Sequence, residues 1–191
     1  MTDTTSPSEH PDLDVVRIIE TLDRHEVDYL LVGGLAASAH GARRVTYDFD
    51  ALADHRDENL DRLAGALTEL GAFYRTDGLS DAEARAITPT IDRTLLRNFS
   101  IATWRTDAGD LDVMTQMAGA GGAPRRYDQL VDASIESELA GATVRVAALD
   151  DVIASKRHAN RGKDQAALPE LDRIARRQRR ELDVDDGFDI N

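Results

Sequence analysis

An α+β domain is the fold that the sequence predicts: a mixed β-sheet with helices packed on it, followed by a helical C-terminal part. Three observations carry the prediction. Helical and strand patterns alternate along the chain, which implies strands covered by helices. VTYDFDALA at 45–53 switches sides residue by residue, the mark of a strand with one polar face. The stretch 150–180 reads as helix, interrupted only near 160–162.

The elements follow in order. Residues 13–22 place apolar side chains at 13, 15, 16, 18, 19 and 22, a helical face with Asp12 as its N-cap. YLLVGG at 29–34 is a short apolar run stopped by glycines, a buried strand entering a tight turn. LAASAHG at 35–41 is alanine-rich and closes on Gly41, which suits a short helix. In 45–53, Val45, Tyr47, Phe49 and Ala51 share one side and Asp48 and Asp50 the other. Leu60, Leu63, Leu67 and Leu70 recur at helical spacing before Gly71. Residues 75–93 lack periodicity and are expected to form a mobile loop with a short helical turn. Strands are predicted at 95–104 and 110–116, joined by the turn residues RTDAG. A glycine-rich loop, AGAGGAPRR, a helix over RYDQLVDAS and a β segment at 142–149 complete the core. The expected division is a disordered tail over 1–11, a core over 12–147 and the helical part over 148–191.

Composition narrows the function. The 191 residues, 41% of them hydrophobic, suffice for one solid core with a small appended lobe. There is no cysteine, so neither a disulfide nor a thiolate metal site exists, which fits a reducing compartment. The polar, proline-containing start MTDTTSPSEHPD lacks a basic n-region and an apolar h-region, and no later run reaches the ~20 apolar residues of a membrane span. A soluble, cytoplasmic protein without a membrane partner is expected. The net charge of −13 opposes non-specific adsorption to DNA, RNA or anionic membranes, so any nucleic-acid contact must be local. Basic residues are clustered at Arg43 and Arg44, at Arg125 and Arg126, over 156–163, and in RIARRQRR at 173–180.

The carboxylates carry the chemistry. Asp48 and Asp50, at i and i+2 on one strand, have backbones roughly 7 Å apart and side chains on the same face. Two anions so placed repel unless a hard cation joins them, and magnesium takes one or two protein carboxylates together with water and phosphate oxygens. Asp112, between Leu111 and Val113, is a third acid centred on a strand that can lie alongside. Three carboxylates on adjacent strands suit a two-metal site. Gly33 and Gly34, between strand and helix, let the backbone approach a phosphate with its N–H groups exposed.

Val32-Gly33-Gly34, thirteen residues, then Asp48-Phe49-Asp50-Ala51 resembles the signature of the DNA polymerase β-like nucleotidyltransferase superfamily, and Asp112 in DLDVM matches its third acid. The resemblance implies a catalytic core over 12–147 in which Asp48, Asp50 and Asp112 bind Mg2+ or Mn2+ and Asp112 helps deprotonate the acceptor. Gly34 stands where many members carry a phosphate-contacting serine, which leaves that contact to backbone N–H groups. GGLAASAHGARRVTYDFD, followed by ALDDVIASKRHANRGKDQAALPEL, is similar to the AbiEii and MenT group of toxin nucleotidyltransferases, whose helical motif of a lysine, an arginine and Lys-Asp falls here on Lys156, Arg161, Lys163 and Asp164. The candidate nucleotide-binding set is therefore Gly33, Gly34, Ser38, Arg44, Lys156, Lys163 and Asp164, with Lys156 also catalytic as a point charge on the triphosphate. What the likeness implies is nucleoside monophosphate transfer from an NTP, with the 3′ end of tRNA as acceptor and an antitoxin protein as partner. AMP transfer to a protein, nucleotidylation of a small molecule and a non-catalytic binding role remain the alternatives.

Overall fold

The computed structural model of the protein describes residues 11–185, with side chains described as far as residue 181. Of the tail expected over 1–11, all but Pro11 lies outside these residues. Seven strands form one mixed sheet. Its centre is β1 (Tyr29–Leu31) and β2 (Asp48–Ala53), which run antiparallel, with β5 (Gly109–Met114) parallel to β2 and β9 (Ala142–Val146) parallel to β1. Beyond β5 lie β4 (Ile101–Thr106) and then β3 (Phe73–Tyr74), and beyond β9 the edge strand β8 (Ile135–Leu139), so the order is β3-β4-β5-β2-β1-β9-β8. A separate ribbon, β6 (Met117–Ala118) with β7 (Pro124–Arg125), sits within the glycine-rich loop.

One sheet face is apolar. Phe49 and Ala51 of β2, Leu111 and Val113 of β5, and Trp104 of β4 point into the core, where α1 (Val15–Arg24) contributes Ile18, Ile19 and Leu22, and α3 (Asp57–Glu69) contributes Leu60, Leu63 and Leu67. Full burial of each of the larger aliphatic or phenyl side chains among these stabilises by about 1.5–3 kcal/mol. Alternation then forces Asp48, Asp50, Asp110 and Asp112 onto the opposite face. On that side α2 (Gly33–Ala39) packs on β2 and on α6 (Leu149–Ala159), and α6 packs on α7 (Gly162–Asp185).

Several boundaries differ from the sequence reading, for local reasons. The first helix is capped by Asp14, whose carboxylate accepts from Arg17 N–H at 3.0 Å, and not by Asp12. Residues 45–47 fall outside β2 because β5 pairs with it only from Asp48 opposite Asp110 onward; with no neighbouring strand among the described residues, Val45 and Tyr47 stand 78% and 81% exposed. The expected mobile loop over 75–93 contains α4 (Asp81–Ile87), and α5 (Arg93–Arg97) takes the start of the strand expected at 95–104. Caps hold both helices: Ser80 and Glu83 form a capping box, and Asp92 accepts from Leu95 N–H at 2.8 Å. The helix expected over 126–134 is two 3₁₀ turns, at 127–129 and 131–133. Asn160, in the left-handed region at φ 50°, ends α6, so the break expected near 160–162 is a full stop between two helices.

Candidate active site

The glycine turn is shaped by the carboxylate it faces. Gly33 has φ 66°, a conformation that favours glycine, and a Cβ there would fall onto Oδ2 of Asp50. Gly34 N–H donates to the same oxygen at 3.4 Å. A Cβ on Gly34 would collide with the Thr46 hydroxyl, which donates to Asp48 Oδ1 at 2.7 Å. Both glycines are thus required by close approach in the folded protein. Gly33→Ala is expected to push Asp50 aside, costing about 1–3 kcal/mol in a urea melt and most of the activity. A variant that melts and turns over as wild type does would contradict this geometry.

Register brings the third acid in: Asp50 lies opposite Asp112 across the β2–β5 pair. One carboxylate oxygen from each of Asp48, Asp50 and Asp112 lies within 4.8 Å of the others. Burial, followed by the charges of Asp48 and Asp112, pushes the Asp50 carboxyl up to about 6, against the Gly34 N–H and the charge of Lys163. Burial also raises Asp112, although Arg75 opposes the shift. An all-oxygen cluster in which Asp50 and Asp112 resist ionisation is a fitting donor set for a hard divalent cation.

The cationic side of the site comes from the junction of α6 and α7. Asp164 is 1% exposed and accepts from Arg161 Nε at 2.7 Å, with Lys156 Nζ at 3.5 Å from its other oxygen. Burial works against its charge, but the Arg161 hydrogen bond and the charges of Arg161 and Lys156 outweigh it and hold the carboxyl below its ordinary value. Lys163 Nζ stands 3.9 Å from Asp48 Oδ2. Lys156, Lys163 and Asp164 do converge, yet not along one helix face as their seven- and eight-residue spacing suggests; the stop at Asn160 turns α7 back so that Asp164 meets Lys156 from a second helix.

Gly33, Gly34, Arg44, Asp48, Asp50, Asp112, Lys156, Lys163 and Asp164 all line one cavity of about 270 Å³, with Val32, Met114, Met117 and Val152 as an apolar wall. Ser38 is not among its lining residues. Its hydroxyl lies 3.3 Å from the carbonyls of Gly34 and Arg44, tying α2 to the following loop. Residues that the sequence reading missed are Thr46, Asp110 and Arg75. The repeat of Asp-x-Asp in DFD and DLD was a signal for Asp110, whereas nothing in the aperiodic segment around Arg75 marked it.

A mixed sheet that sets three converging carboxylates beside a glycine turn, with lysines across the cleft, defines a nucleotidyltransferase. The chain belongs to the AbiEii nucleotidyltransferase family, whose profile, described as "Nucleotidyl transferase AbiEii toxin, Type IV TA system", matches residues 17–180. Among solved structures, it is similar to the lincosamide antibiotic adenylyltransferase LnuA in its lincomycin-bound form, with 13% identity, coverage of 86% of this chain and 99% of the other, and a TM-score of 0.54. It is also similar to ANT(2'')-Ia in complex with adenylyl-2''-tobramycin, with 14% identity, coverage of 88% and 96%, and a TM-score of 0.52. At these identities the likeness is one of fold. No curated protein matches the chain. Among the described residues no helix is long and apolar enough to cross a membrane.

Proposed function

We propose that the protein transfers a nucleoside monophosphate from an NTP to the 3′ end of tRNA, with Mg2+ or Mn2+ held by Asp48, Asp50 and Asp112, as the toxin of a toxin–antitoxin pair in the cytoplasm. The observation that carries the reading is the single cavity that joins the three carboxylates to Lys156, Lys163 and Arg44. The acceptor oxygen bonds to the α-phosphorus, the bond to the α,β-bridging oxygen breaks, and pyrophosphate leaves with the electron pair. Asp112 takes the acceptor proton. Lys156, held in place by Asp164, and Lys163 bind the triphosphate, while the Gly33–Gly34 turn admits it close to the backbone. A divalent ion bound at the carboxylates supplies charge neutralisation at the phosphate oxygens. Catalysis is then positioning and electrostatics.

The RNA acceptor is supported by the strip that leads into Asp48. The guanidinium groups of Arg43 and Arg44 have no hydrogen-bond or ion-pair partner among the described residues, and Val45 and Tyr47 are exposed beside them. Unpaired cations next to an exposed ring suit a single-stranded end, with phosphates on arginine and a base on the aromatic face. The other basic clusters favour such a role less. Arg177 and Arg179 pair with Glu181 and Asp150, Arg176 donates to the Asp172 carbonyl, and Arg125 donates to the Gln129 carbonyl. Arg177 also lies about 20 Å along α7 from Lys163.

The test is to incubate the protein with each labelled NTP, magnesium, and in turn total tRNA, cell-lysate protein, and lincosamide or aminoglycoside. Labelled tRNA is expected, with kcat/KM for tRNA falling about tenfold in Tyr47→Ala, the size of one lost stacking contact. Label on protein or antibiotic alone would replace the acceptor but leave nucleotidyl transfer standing; no label on any of them would remove both.

A further inference from the structure

Two carboxylate pairs stand side by side on the site face, and the chain treats them differently. Asp48 lies opposite Asp110 and Asp50 opposite Asp112, so the two i, i+2 pairs are in register on parallel strands. The pair on β5 is neutralised from within. Arg75 Nη1 donates to Asp110 Oδ2 at 3.0 Å, and its Nη2 donates to both oxygens of Asp112, at 2.8 and 3.1 Å. Arg105 adds an Nε contact to Asp110 at 3.5 Å while pairing with Asp81 at 2.9 Å. Arg75 is also fixed by its backbone, whose N–H donates to the Thr103 carbonyl at 3.1 Å beyond the end of β3, and its side chain is only 25% exposed. The pair on β2 has far less: the Thr46 hydroxyl, the Gly34 N–H, and a lysine, Lys163, that is 61% exposed and 3.9 Å from one oxygen.

We propose that the site takes one divalent ion, on Asp48 and Asp50, and that the Arg75 guanidinium provides beside Asp112 the positive charge that a second ion supplies in a two-metal site. The inference rests on the nucleotidyl-transfer reading above and concerns how many ions that reaction uses. The planar Arg75 guanidinium spans the pair, Nη1 on Asp110 and Nη2 on both oxygens of Asp112, and it is permanently charged and cannot be deprotonated. A second dication beside Asp112 would have to displace this partly buried pair or sit against its charge, and either is unfavourable in a partly desolvated cleft. Each carboxylate oxygen keeps a further acceptor site. Arg75 is therefore a positioning residue: it fixes the Asp112 carboxylate while leaving an oxygen within reach of the ion on Asp48 and Asp50.

The count of bound ions tests this without turnover. Equilibrium dialysis against Mn2+, with a saturating α,β-methylene analogue of each of the four NTPs in turn, is expected to give one ion per wild-type chain and two per Arg75→Gln chain. Two ions on the wild type would overturn the proposal whether or not the variant folds. One ion on both proteins would also overturn it, because Arg75 would then exclude nothing. No nucleotide-dependent Mn2+ on the wild type would instead remove the nucleotidyl-transfer reading on which the count depends.

Discussion

Asp50→Asn is expected to stabilise the metal-free protein and to abolish its reaction. Asparagine keeps the shape of the side chain but removes one of three negative charges whose oxygens approach within 4.8 Å. In the folded chain the Asp50 carboxyl is pushed up to about 6, first by burial and then by Asp48 and Asp112, whereas in the unfolded chain it titrates near the ordinary value of 3.8. Between those values the folded state binds a proton that the unfolded state does not, so stability falls as pH rises toward 6. The contribution is fully present below the unfolded value and lost above the folded one. At pH 7.5 in EDTA, wild type therefore carries an ionised Asp50 at a cost of about 2–3 kcal/mol that the variant avoids. Its melting temperature should exceed that of wild type at pH 7.5, and the gap should close as pH falls toward 4. Activity should drop by roughly 10³-fold or more, since phosphate-charge stabilisation worth several kcal/mol is lost. Equal melting temperatures across the pH series would show that neither burial nor the neighbouring carboxylates penalise the ionised Asp50. Wild-type turnover would remove Asp50 from the site.

The expected opposition between stability and activity explains why the candidate site was more legible in the sequence than much of the fold. A chain has little structural reason to gather Asp48, Asp50 and Asp112 on one face, so their pattern speaks for function, and the glycine pair marks where the backbone must yield to Asp50. Long periodic elements were equally plain: α3 buries Leu60, Leu63 and Leu67 on one stripe and ends before Gly71, whose φ is 66°. What the sequence concealed is short or non-local. α4 and α5 are held by caps at Ser80 and Asp92 more than by apolar periodicity, and β3 is two residues long. Residues 45–47 continue the alternation of β2, yet among the described residues no strand lies beside them to complete a sheet. Arg75 reaches Asp112 across 37 residues, a distance over which no spacing rule operates.

Asp164→Ala is expected to unsettle the protein and its nucleotide site together, with the opposite pH signature to Asp50→Asn. The Asp164 carboxylate is 1% exposed and faces two cations, of which Arg161 is 62% exposed and Lys156 only 14%. Once the carboxylate is gone, Arg161 can turn to water, but Lys156 is left as a largely buried, uncompensated charge. Removing one partner of such a pair costs about 3 kcal/mol. Because neighbouring cations hold the Asp164 carboxyl below its ordinary value, its contribution is present above the unfolded value of 3.8 and lost as pH falls through the folded one. The stability difference between wild type and variant should therefore persist at neutral pH and shrink in acid. Lys156→Ala separates the two roles of this cluster, since Asp164 then keeps Arg161 as its partner. That variant should lose less stability than Asp164→Ala, under about 1 kcal/mol, yet raise KM for NTP at least tenfold, whereas Asp164→Ala should do both. Urea melts beside NTP saturation curves give the answer. If Lys156→Ala leaves KM unchanged, the lysine only balances Asp164; if Asp164→Ala melts like wild type, the buried carboxylate is not what joins α6 to α7.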